Sequence, residues 1–359
     1  MLATVLAACA TALAAPAAGL LGHRAVRRAT LAKRLRITGA RGIDESGFVR
    51  IGGLDQWVSI RGESLDNPVL LEIHGGPGAS NLVFVPRTRA WERHFTVVRW
   101  DMRGAGRTFA AAPHGQGELS LDRLHRDAVE LTEHVRARLG VAEVVLVANS
   151  LGSALGLRLA RSRPELYSAY VGTDQLVVAG GRDRSAYDGL RDRLDRAGRR
   201  KELAAVTATG ADRVRWTGPQ FNAFTKLALT TDPLSRDTMK TVVVRSLWFS
   251  PLHTLRDLRA YLKAMAFSEP LALEAFAIDE WAEGTAFAVP FFVFQGEADV
   301  LNPAAPARRL FDDVTAPVKA FALLRDASHF AAFRHPDRFL ELLLTEVRPV
   351  VTGAARPTR

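Results

Sequence analysis

The stretch "VVLVANSLGSALGL", residues 144–157, governs the reading of the whole chain. An apolar run of strand length ends on Asn149 and Ser150, and a helical pattern follows at once. A polar residue at such a junction is either an ordinary helix cap or a nucleophile held on a sharp strand-to-helix turn. The second role needs small residues two before and two after the serine, because bulky ones would clash around the strained turn. Ala148 and Gly152 meet that need, with alanine standing where the common pattern has glycine. Taken alone, the pentapeptide fits a capping serine as well, so the rest of the chain has to separate the two.

Working outward, the flanking segments alternate. Residues 42–62 read as two short strands around Gly52-Gly53. "NPVLLEIHGG", "FTVVRWDMRG", "EVVLVANS", "YSAYVGTD", "VPFFVFQGEAD" and "VKAFALLRDASH" are near-continuous apolar runs, which suit strands covered on both faces. Between them, Ser120 caps a run with apolar residues at Leu121, Leu124, Ala128, Leu131, Val135 and Leu139, one face of a helix. "RFLELLLTEV" repeats the pattern near the C-terminus. Strand–helix alternation predicts an α/β fold with a mostly parallel central sheet and helices on both faces, with ligands at the carboxyl ends of the strands. The alternation stops at residues 176–287, where only helical patterns occur. That block predicts an inserted all-helical cap over a core made of residues 42–175 and 288–351, and residues 352–359 read as a disordered tail.

The net charge of +10 suggests a nucleic-acid partner, but its placement argues against one. Seven of those charges (Arg24, Arg27, Arg28, Lys33, Arg34, Arg36, Arg41) lie in residues 1–41, which hold no acid, leaving +3 for the remainder. The excess is a tail beside Leu2–Gly22, an uncharged Ala/Leu-rich run of about bilayer-spanning length. Basic residues follow this run and none precede it. The expectation is a membrane anchor with the catalytic body on the cytoplasmic side. The alternatives are a cleaved signal on a secreted protein and a soluble cytoplasmic protein. Cys9 is the only cysteine, so an intrachain disulfide and a cysteine-based zinc site are excluded.

A serine nucleophile requires a general base and an acid to orient it, and on a strand-turn-helix elbow the chain order is serine, acid, histidine. Asp299 follows the strand pattern "VPFFVFQGEAD" and His329 follows the last one, so both fall on the same sheet edge as Ser150. Asp174, after "YSAYVGT", is a rival acid. "HGGPG" at 74–78 supplies a glycine pair at which backbone N–H groups can face an oxyanion, with Gly75 or Gly76 as one donor and the N–H of Leu151 as the other. No Gly-Lys-Ser/Thr follows to make a phosphate loop, "GAGRTF" does not complete a dinucleotide fingerprint, and there is no His-Glu-x-x-His. Ser150 at the elbow also argues against the aspartate-dependent epoxide hydrolases and dehalogenases.

With "WDMRGAGRT" (100–108), "FQGEAD" (294–299) and "ASH" (327–329), these segments resemble, in the right order, the proline iminopeptidase (prolyl aminopeptidase) branch of the α/β-hydrolases over roughly residues 42–350. The resemblance implies a serine hydrolase with a helical cap that works without a cofactor or metal on a small-molecule or short-peptide substrate. It places nucleophile, acid and base on Ser150, Asp299 and His329, and gives Asp101 and Arg103 a loop-bracing role. The tryptophan- and glutamate-containing cap segment with which the family holds a free amine is missing. Asp279, Glu280 and Glu283 are the only acidic cluster near the cap's end, read either as amine ligands or as a solvated helix end. Three readings therefore stand: an aminopeptidase, an esterase or amidase with the same triad, and a catalytically dead fold that binds a ligand.

Overall fold

The fold is taken from a computed structural model that describes residues 2–353, with side chains from Ala18 onward. Residues 354–359, the greater part of the expected C-terminal tail, lie outside the described residues, while Thr352 ends the last helix. Eight strands form one sheet: β1 (Ile43–Ile51), β2 (Leu54–Gly62), β3 (Val69–Ile73), β4 (Thr96–Asp101), β5 (Val144–Asn149), β6 (Tyr167–Thr173), β7 (Phe291–Gly296) and β8 (Lys319–Leu324). Their order is β1-β2-β4-β3-β5-β6-β7-β8. β1 and β2 pair antiparallel, β2 runs antiparallel to β4, and all the other pairs are parallel.

Local chemistry explains these elements. Gly52 and Gly53 turn the β1–β2 hairpin with φ of 56° and 72°, a pair of positive values that an L side chain resists. Every residue of β3, β5 and β7 is buried. Alternate side chains serve opposite faces: Val144, Leu146 and Ala148 join one apolar cluster, and Val145 and Val147 the other. Ser120 caps the helix Leu121–Leu139 by accepting the Arg123 N–H at 3.1 Å, and Gly140 closes it in the left-handed conformation, φ 67°.

The runs of β3 and β4 are less uniformly apolar than their patterns suggest. Glu72 and Arg99 face each other at 3.0 Å, and Arg99 reaches Glu92 at 3.2 Å, all nearly inaccessible to water. Asn81 donates to Glu72 and, at 2.8 Å, to Asn149 Oδ1, which ties this charge network to the residue before Ser150.

Between β6 and β7, residues 185–276 are helical, with the segments Ser185–Arg196, Arg200–Thr209, Gly218–Thr231, Pro233–Phe249, Leu255–Phe267 and Pro270–Phe276. A bridge between Ala179 and Asp279 closes the base of this insertion, so "IDEWAE" is not helical.

The N-terminal segment differs from the tail expected. A single helix, Leu2–Leu35, carries five of the seven basic residues, and Arg24 and Arg28 dock. Arg24 donates to the carbonyls of Trp248 (2.9 Å) and His253 (3.2 Å), and Arg28 to those of Ser250 (3.0 Å) and Pro251 (3.1 Å). Leu35 is buried with Leu82 and Val85. The charges therefore satisfy carbonyls at the C-terminal end of a helix of the insertion, where cations are favoured. Among the described residues no helix is long and apolar enough to cross a membrane, so the anchor expected over Leu2–Gly22 finds no support.

Candidate active site

Ser150 sits on a sharp turn between β5 and the helix Leu151–Ser162, with φ 54° and ψ −128°. Positive φ at a non-glycine residue is strained and is tolerated where the surroundings enforce it. The surroundings here are close. A methyl on Gly75 would lie 2.7 Å from Ser150 Cβ and 2.9 Å from the Asn149 carbonyl oxygen, and one on Gly152 would run into the carbonyl oxygens of Ile73 and His74. The alanine at 148 is accommodated one helical turn beyond the elbow: a methyl on Gly156 would lie 2.7 Å from Ala148 Cβ. The glycine absent from the pentapeptide reappears at the position its side chain faces.

His329 follows β8, and its Nε2 lies 3.0 Å from Ser150 Oγ. Its Nδ1 meets the Asp299 carboxylate at 2.9 and 3.1 Å. Asp299 Oδ1 also accepts the N–H groups of Leu301 (2.9 Å) and Asn302 (3.0 Å), which fix the carboxylate in its loop. Asp174, the rival, lies beside the pair but is engaged elsewhere. It accepts the N–H groups of Phe330 (3.0 Å) and Ala331 (3.1 Å), immediately after the histidine. Asp299 therefore holds the imidazole and Asp174 holds the backbone that carries it.

Burial alone would lower the His329 pKa, but the charges of Asp299 and Asp174 outweigh it and push it up to about 9. Burial likewise raises Asp174 to about 6, against the pull of the imidazolium. Ligand atoms of Asp174, Asp299 and His329 come within 4.8 Å of one another, the one grouping among the described residues with metal-like spacing. Both carboxylates accept backbone N–H groups, and the imidazole lies between Asp299 and Ser150.

The glycine loop is held by His74. Its Nδ1–H donates to the Gly75 carbonyl (2.7 Å) and its Nε2 accepts the Met102 N–H (3.2 Å), which fixes the tautomer. Burial pushes its pKa down to about 4, so it bridges as the neutral ring. The loop after β4 is braced as expected. Asp101 accepts the Arg107 N–H at 2.7 Å, and Arg103 reaches Asp127 (2.9 Å) and the Gly52 carbonyl (2.9 Å). The N–H of Leu151 opens a helix, where no preceding turn supplies an acceptor, and it stands beside Gly76 in the wall of the cavity at Ser150.

Sequence inspection missed a buried polar chain linking the elbow to the acid loop. Ser153 Oγ donates to the Ser150 carbonyl (2.6 Å) and accepts the Leu176 N–H (2.9 Å) and Gln175 Nε2–H (3.1 Å). Gln295 Oε1 accepts the Gln175 N–H (2.7 Å), and Gln295 Nε2 donates to the Asn302 carbonyl (2.6 Å). Gln295 was visible in "FQGEAD", but nothing in its spacing gave its partner.

The acidic cluster is placed otherwise than expected. Glu280 is no solvated helix end: it is buried against Arg161 at 2.7 Å, and burial raises it to about 7. Asp279 pairs with Arg182. Glu280 and Glu283 line a separate cavity of about 290 Å³ that does not include Ser150. The cavity at Ser150 is narrow, about 50 Å³, and is walled by Leu176, Arg213, Trp216, Phe224 and Phe276 among others.

Comparison with known proteins shows the family. A probable aminopeptidase, YbaC, from Bacillus subtilis is 24% identical over 302 residues, covering 83% of this chain and 94% of that protein. A proline iminopeptidase from Lactobacillus delbrueckii subsp. lactis is 30% identical over 111 residues, 31% of this chain and 36% of that protein. A proline iminopeptidase-related protein from Thermus thermophilus superposes with a TM-score of 0.57 at 20% identity, over 86% of this chain and 99% of that one. Residues 69–342 match the alpha/beta hydrolase family, and the chain belongs to it.

Proposed function

We propose that the chain is a serine hydrolase that cleaves small amides or esters through an acyl-enzyme on Ser150. The observation that carries this reading is the hydrogen-bonded series Ser150–His329–Asp299, at 3.0 and 2.9 Å, on a strained elbow. In this reading Ser150 Oγ attacks the carbonyl carbon and its proton passes to His329 Nε2. The tetrahedral oxyanion is held by the N–H groups of Leu151 and of Gly75 or Gly76. His329 then returns the proton to the departing amine or alcohol. Water, deprotonated by the same ring, releases the acid product. Asp299 keeps the imidazole oriented and stabilises its charged form.

Two substrate readings share this chemistry. Cleavage of N-terminal residues, as in a proline iminopeptidase, is supported by the motifs and by the relatives' names. Such a substrate presents an ammonium group beside the scissile bond, and an enzyme that selects it needs a carboxylate there. Among the described residues lining the cavity at Ser150 there is none. That lining supports the esterase or amidase reading, which we take as the conclusion.

Labelling with a fluorophosphonate, blocked in S150A, tests the nucleophile. Turnover of alanyl and prolyl arylamides with free and acetylated amines, beside a simple aryl ester, tests the substrate class. S150A should lose roughly 10⁴-fold or more in kcat. Wild-type-like turnover in that variant would remove the proposal, and a strong preference for the free amine would restore the peptidase reading.

A further inference from the structure

The cavity at Ser150 has a single charged residue in its wall, Arg213. It lies in the short turn Arg213–Arg215 that leads into the helix Gly218–Thr231. Its guanidinium carbon is 5.7, 5.5 and 5.2 Å from the ring centroids of Trp216, Phe224 and Phe276, within cation–π range of all three. Its Nε is enclosed and has no hydrogen-bond partner. The carboxylate that attracts it is Asp183, but Asp183 Oδ1 already accepts from Arg309 (3.1 Å) and Ser185 (2.9 Å). Burial lowers the Arg213 pKa to about 10, with Asp183 pulling upward, so the group is a cation at neutral pH.

Enclosed nitrogens without an acceptor also occur on Arg89, Arg136, Arg191, Arg193 and Arg348, and Arg213 differs from them in lining the cavity at Ser150. Here three rings surround the half-buried guanidinium, in the wall it shares with Ser150 and Gly76. Guanidinium geometry matches a carboxylate with two parallel N–H donors.

We propose that Arg213 binds a carboxylate carried by the substrate, so that the enzyme selects small esters or amides that bear an acid group near the scissile bond. This rests on the serine-hydrolase reading of Ser150 and narrows it. It also accounts for the lack of an amine site, since the same cation repels an ammonium group.

The test uses the full chain and two matched substrate pairs. In one pair the acyl group carries the charge: the mono-p-nitrophenyl ester of glutaric acid against its methyl ester. In the other the leaving group carries it: 4-acetoxybenzoate against its methyl ester. The expected result is a preference of roughly tenfold or more in kcat/KM for the charged member of at least one pair, expressed in KM. In R213Q that ratio should fall to near unity, and R213K should recover part of it, having charge without the fork.

Equal kcat/KM within both pairs, in protein whose Ser150 is still labelled by a fluorophosphonate, overturns the anion site and leaves the triad reading intact. Absence of labelling overturns the serine-hydrolase reading and the proposal with it. If labelled protein turns over none of the four esters, protection decides. Slower labelling in glutarate than in glutaramide supports the site, and equal rates overturn it.

Discussion

Asp174 stands close to the catalytic pair without being part of it, and replacing it with asparagine removes one negative charge while keeping the side chain's shape. Ligand atoms of Asp174 and His329 lie within 4.8 Å of each other. Opposite unit charges at that separation attract by about 3.5 kcal/mol at an effective dielectric constant of about 20, the equivalent of roughly 2.5 pKa units. Water entering through the cavity reduces this, so a fall of roughly one to two units is expected. The direction follows from which form the charge favours. Asp174 stabilises the imidazolium, and its loss favours the neutral ring. His329 acts as a base only when neutral, and with its pKa near 9 it is neutral in about 1% of molecules at pH 7. In D174N the rising limb of log kcat/KM against pH should move toward lower pH by one to two units. The assay is kcat/KM for an aryl ester from pH 5.5 to 10, with Tm followed over the same range. Asparagine can still accept one of the two N–H groups of Phe330 and Ala331 but turns a donor toward the other, so the inflection, and not the plateau, is the quantity to read. An inflection that stays in place, or moves to higher pH, in a folded D174N protein would refute the electrostatic account of this site.

Three further outcomes can be measured. G156A should lose roughly 1–3 kcal/mol of stability by crowding Ala148 and Tyr170, and the exchanged pair A148G/G156A should recover most of it in a thermal melt. His74 has its pKa depressed from 6.5 to about 4, so the stability it contributes is present above pH 6.5 and lost as pH falls toward 4. The loss amounts to about 3 kcal/mol, read as Tm against pH, and H74Q should show a shallower acid slope while keeping the part due to His253, which is depressed to about 4 as well. Protein lacking residues 1–41 should be less stable than the full chain by about 2–4 kcal/mol, because it loses buried Leu35 and the Arg24 and Arg28 bonds; an unchanged Tm would show that the docked helix adds nothing.

The sheet and the elbow were legible because their signals are local. The continuous apolar run of β5, small residues around Ser150, and the order serine, aspartate, histidine at strand ends can each be read without knowing what lies opposite. The sequence favoured Asp299 and left Asp174 as a rival, since both follow strands. In the structure Asp299 reaches Nδ1, and Asp174 meets the amides of residues 330 and 331. Arg213 was illegible for a related reason. Its segment has no period, and its meaning depends on Phe224 and Phe276 arriving from other helices of the insertion beside the neighbouring Trp216. Glu280 looked like a surface acid in a charged run because its partner Arg161 is 119 positions away. The basic residues before position 42 looked like a free tail because the carbonyls they meet belong to residues 248–253.

The polar chain from Ser153, in the helix after the elbow, through Gln175 and Gln295, at the end of β7, to Asn302 includes no residue of the inserted helices. The helical insertion meets other loops of the same edge through side-chain bonds such as Ser235 to Ser328 at 2.6 Å and Ser268 to the Gly104 carbonyl at 2.8 Å. Changes in the helices can therefore alter what is admitted while the reacting groups keep their spacing. Selectivity and chemistry occupy separate parts of the chain, and each can drift under its own selection.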